Sequence, residues 1–215
     1  MIESQKKAND VTNPKKISDD FNQDKTLRPE SFADFVGQKQ LINNLKDLID
    51  WHINSGTSGI VVVGTTGESA TINVAEHVQI IEQSVEHADN RIPIIAGTGA
   101  NSTREAIYLT SAAKQAGAFA ALLVTPYYNR PTQQGLIEHY SEIASEIDLP
   151  QILYNVPSRT GCDLLPETVS KLASKKNIVG LKEAFPDLSR LNKLKEELVK
   201  FIDEESFFLY SGILP

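Results

Sequence analysis

Ile178-Val179-Gly180-Leu181-Lys182 is an apolar run that ends in an amine. A lysine held at the end of a buried strand is costly to desolvate as a cation. Its pKa falls, and the free amine becomes a nucleophile toward a carbonyl carbon. Other apolar runs end in comparable chemistry. One is followed by Gly64-Thr65-Thr66-Gly67-Glu68-Ser69, where hydroxyls and backbone N–H groups can converge on a carboxylate or phosphate. Another leads into Thr125-Pro126-Tyr127-Tyr128-Asn129-Arg130-Pro131, and a third into Tyr154-Asn155-Val156-Pro157-Ser158-Arg159-Thr160-Gly161. A phenol can relay a proton, and a guanidinium can grip a carboxylate with two parallel hydrogen bonds. Each stretch has a plainer reading: a lysine that snorkels to solvent, a tight turn, tyrosines packed on a loop or interface. Together at one rim, an amine, phenols, hydroxyls and a guanidinium favour a site that handles a carbonyl compound.

Other chemistries find less support. Gly97-Thr98-Gly99-Ala100-Asn101-Ser102 is superficially similar to a dinucleotide loop but lacks the third glycine, and no Walker A pattern occurs. His52, His77, His87 and His139 all fall in predicted helices, away from the loops and without metal-ligand spacing, so no metal site is expected. Cys162 is the only cysteine, which excludes an intrachain disulfide and reads as a small buried residue in a reducing compartment.

The elements that must position these groups follow from periodicity. Short apolar strands are predicted over 60–63, 92–96, 120–124, 151–154, 178–181 and 207–210, with helices near 73–88, 103–116, 132–147, 166–175 and 188–202. Asn73 with Glu76 and Ser102 with Glu105 look like capping pairs, and Pro166 suits a first helical turn. Val74, Val78, Ile81 and Val85 are expected on one face of their helix. An earlier helix carries an apolar stripe of Leu41, Leu45, Leu48, Ile49 and His52 and stops at Asn54-Ser55-Gly56. Strand–loop–helix units repeating at roughly 30 residues argue for an α/β fold, a parallel sheet covered by helices. The pattern alone leaves a β/α barrel and a doubly wound sheet both open.

The chain has 215 residues, of which 40% are hydrophobic and 23% charged, enough for one sizeable domain. Residues 1–31 are polar and read as a mobile tail, leaving 32–215 as the α/β domain. A net charge of −7 disfavours nucleic acid and acidic membrane surfaces as partners. No apolar run is long enough to span a membrane, and the N-terminus lacks a signal-peptide core, so a cytoplasmic location is expected.

Gly64-Thr65-Thr66-Gly67-Glu68, Tyr127-Tyr128-Asn129-Arg130-Pro131, Tyr154-Asn155-Val156-Pro157-Ser158-Arg159-Thr160-Gly161 and Gly180-Leu181-Lys182-Glu183-Ala184 are, in this order, motifs that resemble the dihydrodipicolinate synthase family. These are class I, pyruvate-dependent aldolases built on a (β/α)8 TIM barrel, and the resemblance covers about 45–212. It implies that Lys182 forms a Schiff base with pyruvate and that Tyr154 is the central proton relay. It implies that Thr66 links Tyr154 to Tyr128, which in the family reaches across a tight dimer interface. Thr65 and Thr66 would face the pyruvate carboxylate, Arg159 would hold the carboxylate of aspartate semialdehyde, and Gly212 matches a backbone contact. The family's homo-oligomer is a dimer of dimers, and its reaction needs no metal or organic cofactor. Some members bind lysine as a feedback inhibitor. The matching positions are Ala70, Val74, Asn101, Glu105 and Tyr127, with Val74 in place of a histidine.

The sequence departs from that pattern in three places. Residues 26–38 resemble the start of the ATPase subunit of the Holliday-junction branch-migration helicase, a likeness confined to about 1–46. The nucleotide-binding loop that should follow is absent, so no ATPase activity is implied. About six parallel strands are expected, with the barrel's first and last missing from the eight of a closed barrel. Phe185-Pro186 stands where the family has a small polar pair, and the proline can serve as a helix-start device ahead of Asp187. Readings besides the synthase are an N-acetylneuraminate or keto-deoxy-sugar aldolase, a non-catalytic chain that retains the motifs, and a module that docks through its helicase-like segment. Arg159 and the Tyr127-Tyr128 pair favour the synthase.

Overall fold

The computed structural model describes residues 39–212. The chain divides into two units, Met1–Asn43 and Asn44–Pro215. The polar stretch 1–31 and the helicase-like stretch 26–38 lie outside the described residues.

Six strands form one sheet in the order of the chain: β1 (Ile60–Val62), β2 (Ile94–Gly97), β3 (Ala120–Val124), β4 (Gln151–Asn155), β5 (Ile178–Glu183) and β6 (Phe208–Ser211). Every neighbouring pair is parallel. Helices α1 (Lys39–Asn54), α2 (Val74–Ala88), α3 (Thr103–Ala116), α4 (Gln133–Glu146), α5 (Pro157–Thr160), α6 (Pro166–Ala173) and α7 (Leu188–Asp203) intervene. Sequential order with all strands parallel is the arrangement of a β/α barrel; a doubly wound sheet reverses its strand order part-way. The sheet therefore forms part of a barrel wall.

Strand alternation separates two packing layers. Ala121, Leu123, Leu153, Ile178 and Leu181 face the helices and join Leu136, Tyr140, Ile143, Leu172, Leu194 and Leu198 in the main core. Ala120, Leu122, Ile152 and Tyr154 lie on the opposite face with Val156 and Ala184. Each fully buried leucine in the main core contributes about 1.5–3 kcal/mol from apolar transfer. Asn73 caps α2 as expected, its Oδ1 accepting the Glu76 N–H at 2.9 Å. Ser102 makes no side-chain cap on α3. Thr132 caps α4, accepting from the Gly135 N–H at 3.2 Å. Pro166 stands in the first turn of α6, and Asp187, directly after Pro186, caps α7 through the Ser189 N–H at 2.8 Å.

Two expected apolar faces are rotated. On α1, Ile49 is buried and Leu45 and Ile53 pack beside it, whereas Leu48 is exposed. The buried set recurs at i, i+4 and i+8, and Leu48 lies about 100° away from Ile49. On α2 the buried residues are His77, Ile81, Ser84 and Ala88, and Val74 is exposed. Ile81 and Val85 still pack on the core as expected, and a histidine and a serine with backbone partners join them on the inner stripe: Ser84 Oγ donates to the Ile80 carbonyl at 2.7 Å.

Candidate active site

The register of β4 against β5 sets the geometry. Gln151 pairs with Ile178, but Ile152 pairs with Gly180, so one extra residue is accommodated on β5. That irregularity brings Tyr154 opposite Lys182 and Asn155 opposite Glu183; an unbroken register would have set Tyr154 opposite Leu181. Gly180 leaves room beside the lysine: a Cβ there would lie 2.8 Å from the Phe208 carbonyl oxygen and 3.2 Å from the Tyr210 ring.

Lys182 Nζ sits 4.5 Å from the centre of the Tyr154 ring. Burial lowers the Lys182 pKa, since water that would solvate the ammonium is displaced. Burial raises the Tyr154 pKa, opposed by the positive charge of Arg159. The pair is thus shifted toward a free amine beside a neutral phenol. Such a phenol can donate a proton as a carbonyl oxygen leaves as water. Arg159 is exposed on α5, whose first turn is started by Pro157. The Gly212 N–H donates to the Glu183 carbonyl at 2.6 Å, so the chain beyond β6 abuts the lysine strand.

The Thr-Thr loop follows β1 as two short 3-10 turns, Thr65–Gly67 and Ser69–Thr71. Val63, ahead of it, has φ 51, a conformation that a β-branched residue rarely adopts. Its carbonyl oxygen lies against Gly97: a Cβ at Gly97 would sit 2.3 Å from it. Thr65, Ser69, Gly99 and Tyr154 line a cleft of about 10 Å³.

Thr66 is exposed, and among the described residues no hydrogen bond joins it to Tyr154 or Tyr128. Tyr128 is 92% exposed with φ 67. Tyr127, one residue earlier, is tied in by its N–H to Asn101 Oδ1 at 2.9 Å. The chain therefore brings Lys182, Tyr154 and Thr65 into one region, while Thr66 and Tyr128 are exposed and make no hydrogen bond to the phenol.

The remaining expected residues gather in a second place. Ala70, Asn101, Glu105 and Tyr127 line one cavity of about 110 Å³, together with Val74 and His77. His77 Nε2 donates to the Gly97 carbonyl at 2.7 Å. Burial lowers its pKa, with Glu105 acting in the opposite sense. His77 corrects the expectation that the histidines stand away from the loops. It lies three residues after Val74, so it shares a helix face with a position already singled out. Cys162 is buried and its thiol pKa is raised by that burial, as befits a packing residue. Among the described residues no cluster of metal-ligating side chains occurs, and no helix is long and apolar enough to cross a membrane.

Residues 36–213 match the model of the dihydrodipicolinate synthetase family. The chain belongs to this family. A 4-hydroxy-tetrahydrodipicolinate synthase from Escherichia coli O139:H28 is 59% identical over 169 residues, which are 79% of this chain and 56% of that protein. The chloride-inhibited dihydrodipicolinate synthase from Acinetobacter baumannii, solved with pyruvate, is 54% identical with a TM-score of 0.75. The match covers 80% of this chain and 57% of that one. A prophage protein of the family from Escherichia coli K12, also solved with pyruvate, is 32% identical with a TM-score of 0.75, over 80% and 57% of the two chains. The dihydrodipicolinate synthetase match begins at residue 36, inside the helicase-like stretch. The chain spans a little over half the length of the curated relatives it matches.

Proposed function

We propose that this chain carries the active-site half of a carbon–carbon condensing lyase that joins pyruvate to L-aspartate 4-semialdehyde through a Schiff base on Lys182. The observation that carries the reading is the in-register Tyr154–Lys182 pair: a partly desolvated amine 4.5 Å from a phenol ring whose pKa is raised by burial. The amine attacks the pyruvate keto carbon, water leaves, and the iminium withdraws electrons from the adjacent methyl group. Loss of a methyl proton gives an enamine, whose carbon bonds to the aldehyde carbon of the second substrate. In this reading Tyr154 gives and takes the protons. Attack of the semialdehyde's amino group on the iminium carbon closes the ring and frees Lys182. The product is 4-hydroxy-tetrahydrodipicolinate, on the route to diaminopimelate and lysine.

Thr65, at the cleft beside Tyr154, suits the pyruvate carboxylate, and Thr66 and the Gly212 backbone complete that assignment. Arg159 suits the carboxylate of the semialdehyde. Tyr128 projects outward, which suits a residue that reaches the site of a second copy in a homodimer, within a dimer of dimers. Neither nucleic acid nor membrane is a partner in this reading, and a cytoplasmic enzyme fits its substrates. The cavity lined by Ala70, Asn101, Glu105 and Tyr127 is the place for a free amino acid such as lysine. A lysine titration that leaves activity unchanged at millimolar levels removes that assignment.

Turnover with pyruvate and a panel of aldehydes tests the substrate. The reading expects aspartate semialdehyde to be consumed with Arg159 present and much less with Arg159→Ala. Preference for N-acetylmannosamine or a sugar aldehyde overturns it in favour of a sugar aldolase. A Lys182 adduct with no turnover of any aldehyde gives the motifs a non-catalytic role in this chain.

A further inference from the structure

On the opposite face of β4 and β5 from the candidate pair lies a partly buried charge network. Glu183 follows Lys182 and Asn155 follows Tyr154, so both point toward the helices. Glu183 Oε2 accepts from Arg190 Nε at 2.8 Å, and its Oε1 accepts from Asn155 Nδ2 at 3.0 Å and from the Phe185 N–H at 2.9 Å. The Arg190 Nη groups each reach an Asp163 carboxylate oxygen at 2.9 Å, and one also donates to the Leu164 carbonyl at 2.5 Å. Asn155 donates to Asp163 Oδ1 at 2.9 Å, and its Oδ1 accepts the Leu164 N–H at 3.0 Å. Arg190 is only 8% exposed, with the Phe185 ring 4.9 Å from its guanidinium carbon.

We propose that Arg190 is a positioning residue: its guanidinium clamps the Lys182 end of β5 to the loop after α5 and so fixes where the lysine amine and Arg159 stand. The functional part of this rests on the reading of Lys182 as the amine that takes the keto acid. The planar fork is suited to the task, since it serves two carboxylates on two segments at once; a lysine there has a single point charge. One side of the clamp holds the backbone of 183–185, through Glu183 and the Phe185 N–H. The other holds Asp163 and Leu164, directly after the turn that carries Arg159. Phe185, a departure from the family's small polar pair, covers the guanidinium and excludes water from it. Lys182 itself makes no part of the network. Any effect on its amine has to come through the position and solvation of the strand end.

Arg190→Met and the milder Asp163→Asn test this, with Arg190→Lys as the conservative comparison. Reductive methylation with labelled formaldehyde, read by peptide mass spectrometry over a pH series, reports the protonation midpoint of Lys182 without any substrate. Borohydride trapping with pyruvate reports adduct formation, and thermal melting reports stability. Clamping predicts that in Arg190→Met the Lys182 midpoint rises toward that of an ordinary lysine. It also predicts that adduct formation slows at least tenfold below the melting temperature. Asp163→Asn should move both readouts in the same direction by less, and Arg190→Lys should restore less than half of the lost rate. A lowered melting temperature with the Lys182 midpoint and trapping rate unchanged overturns the proposal. If Arg190→Met does not fold, Asp163→Asn decides it on the same readouts. Wild-type protein that forms no adduct, while its Lys182 midpoint still moves in the variants, refutes the Schiff-base reading and leaves the clamp standing.

Discussion

Gly97→Ala should destabilise the protein sharply and disturb the Thr65 loop in particular. The new Cβ would lie 2.3 Å from the Val63 carbonyl oxygen, 2.8 Å from the Val63 carbonyl carbon and 3.1 Å from the Gly64 N. All three are backbone atoms, so no side-chain rotation relieves the clash. Val63 is already held at φ 51 and is 7% exposed, which leaves it little room to retreat. Overpacking a core costs about 1–3 kcal/mol where side chains adjust, and a backbone collision belongs at or above the upper end. At about 3 kcal/mol, with a urea slope of about 2 kcal/mol per molar, the unfolding midpoint falls by about 1.5 M. Gly56→Ala is the comparison. Gly56 has φ 75 and open space around its Cα, so a methyl there adds backbone strain of about 1 kcal/mol and no clash. Circular dichroism across a urea series measures both variants. A Gly97→Ala midpoint within about 0.3 M of wild type, equivalent to about 0.6 kcal/mol at that slope, refutes the close packing of Val63 on β2. The same variant should trap pyruvate more slowly, because Val63 leads directly into Gly64 and Thr65.

Other outcomes follow from single contacts. Leu123→Ala empties a fully buried place on the central strand β3 and should cost about 2–5 kcal/mol in urea unfolding. Asn73→Ala removes the α2 cap and should cost about 1 kcal/mol by the same assay. His139 is buried with its Nε2 unpaired, and burial lowers its pKa from 6.5 to about 4. The unfolded chain therefore takes up this proton first as pH falls. Stability from this group is intact above pH 6.5 and declines toward pH 4, by on the order of 3 kcal/mol for a shift of that size. A urea midpoint measured at several pH values should fall over this range. The fall should be shallower in His139→Gln; an equal fall would place the acid sensitivity elsewhere.

The sequence made the strand ends legible because parallel strands buried on both faces are continuous apolar runs, and the chemistry begins where those runs stop. Tyr154 and Lys182 stood out in this way, and both helix positions of Asn73 and Pro166 followed from local chemistry. Their pairing did not. It depends on one extra residue accommodated within β5, which nothing in Ile178-Val179-Gly180 announces. Faces of α1 and α2 were rotated because apolar counting passes over polar residues with buried partners, such as His77 on the Gly97 carbonyl. The Arg190 network was hidden for a related reason. Asn155, Asp163, Glu183 and Arg190 read as ordinary polar residues until the alternation of β4 and β5 turns two of them toward α7. Thr66 and Tyr128 show the opposite limit: motif membership named them, and the fold of one chain leaves both exposed.

The most direct test of a Schiff base on Lys182 is borohydride trapping with pyruvate, followed by intact-protein and peptide mass spectrometry. A single reduced pyruvate adduct is expected on the peptide containing Lys182, lost in Lys182→Ala and formed more slowly in Tyr154→Phe. Folded protein that yields no adduct, or an adduct on another lysine that persists in Lys182→Ala, contradicts the Schiff-base reading.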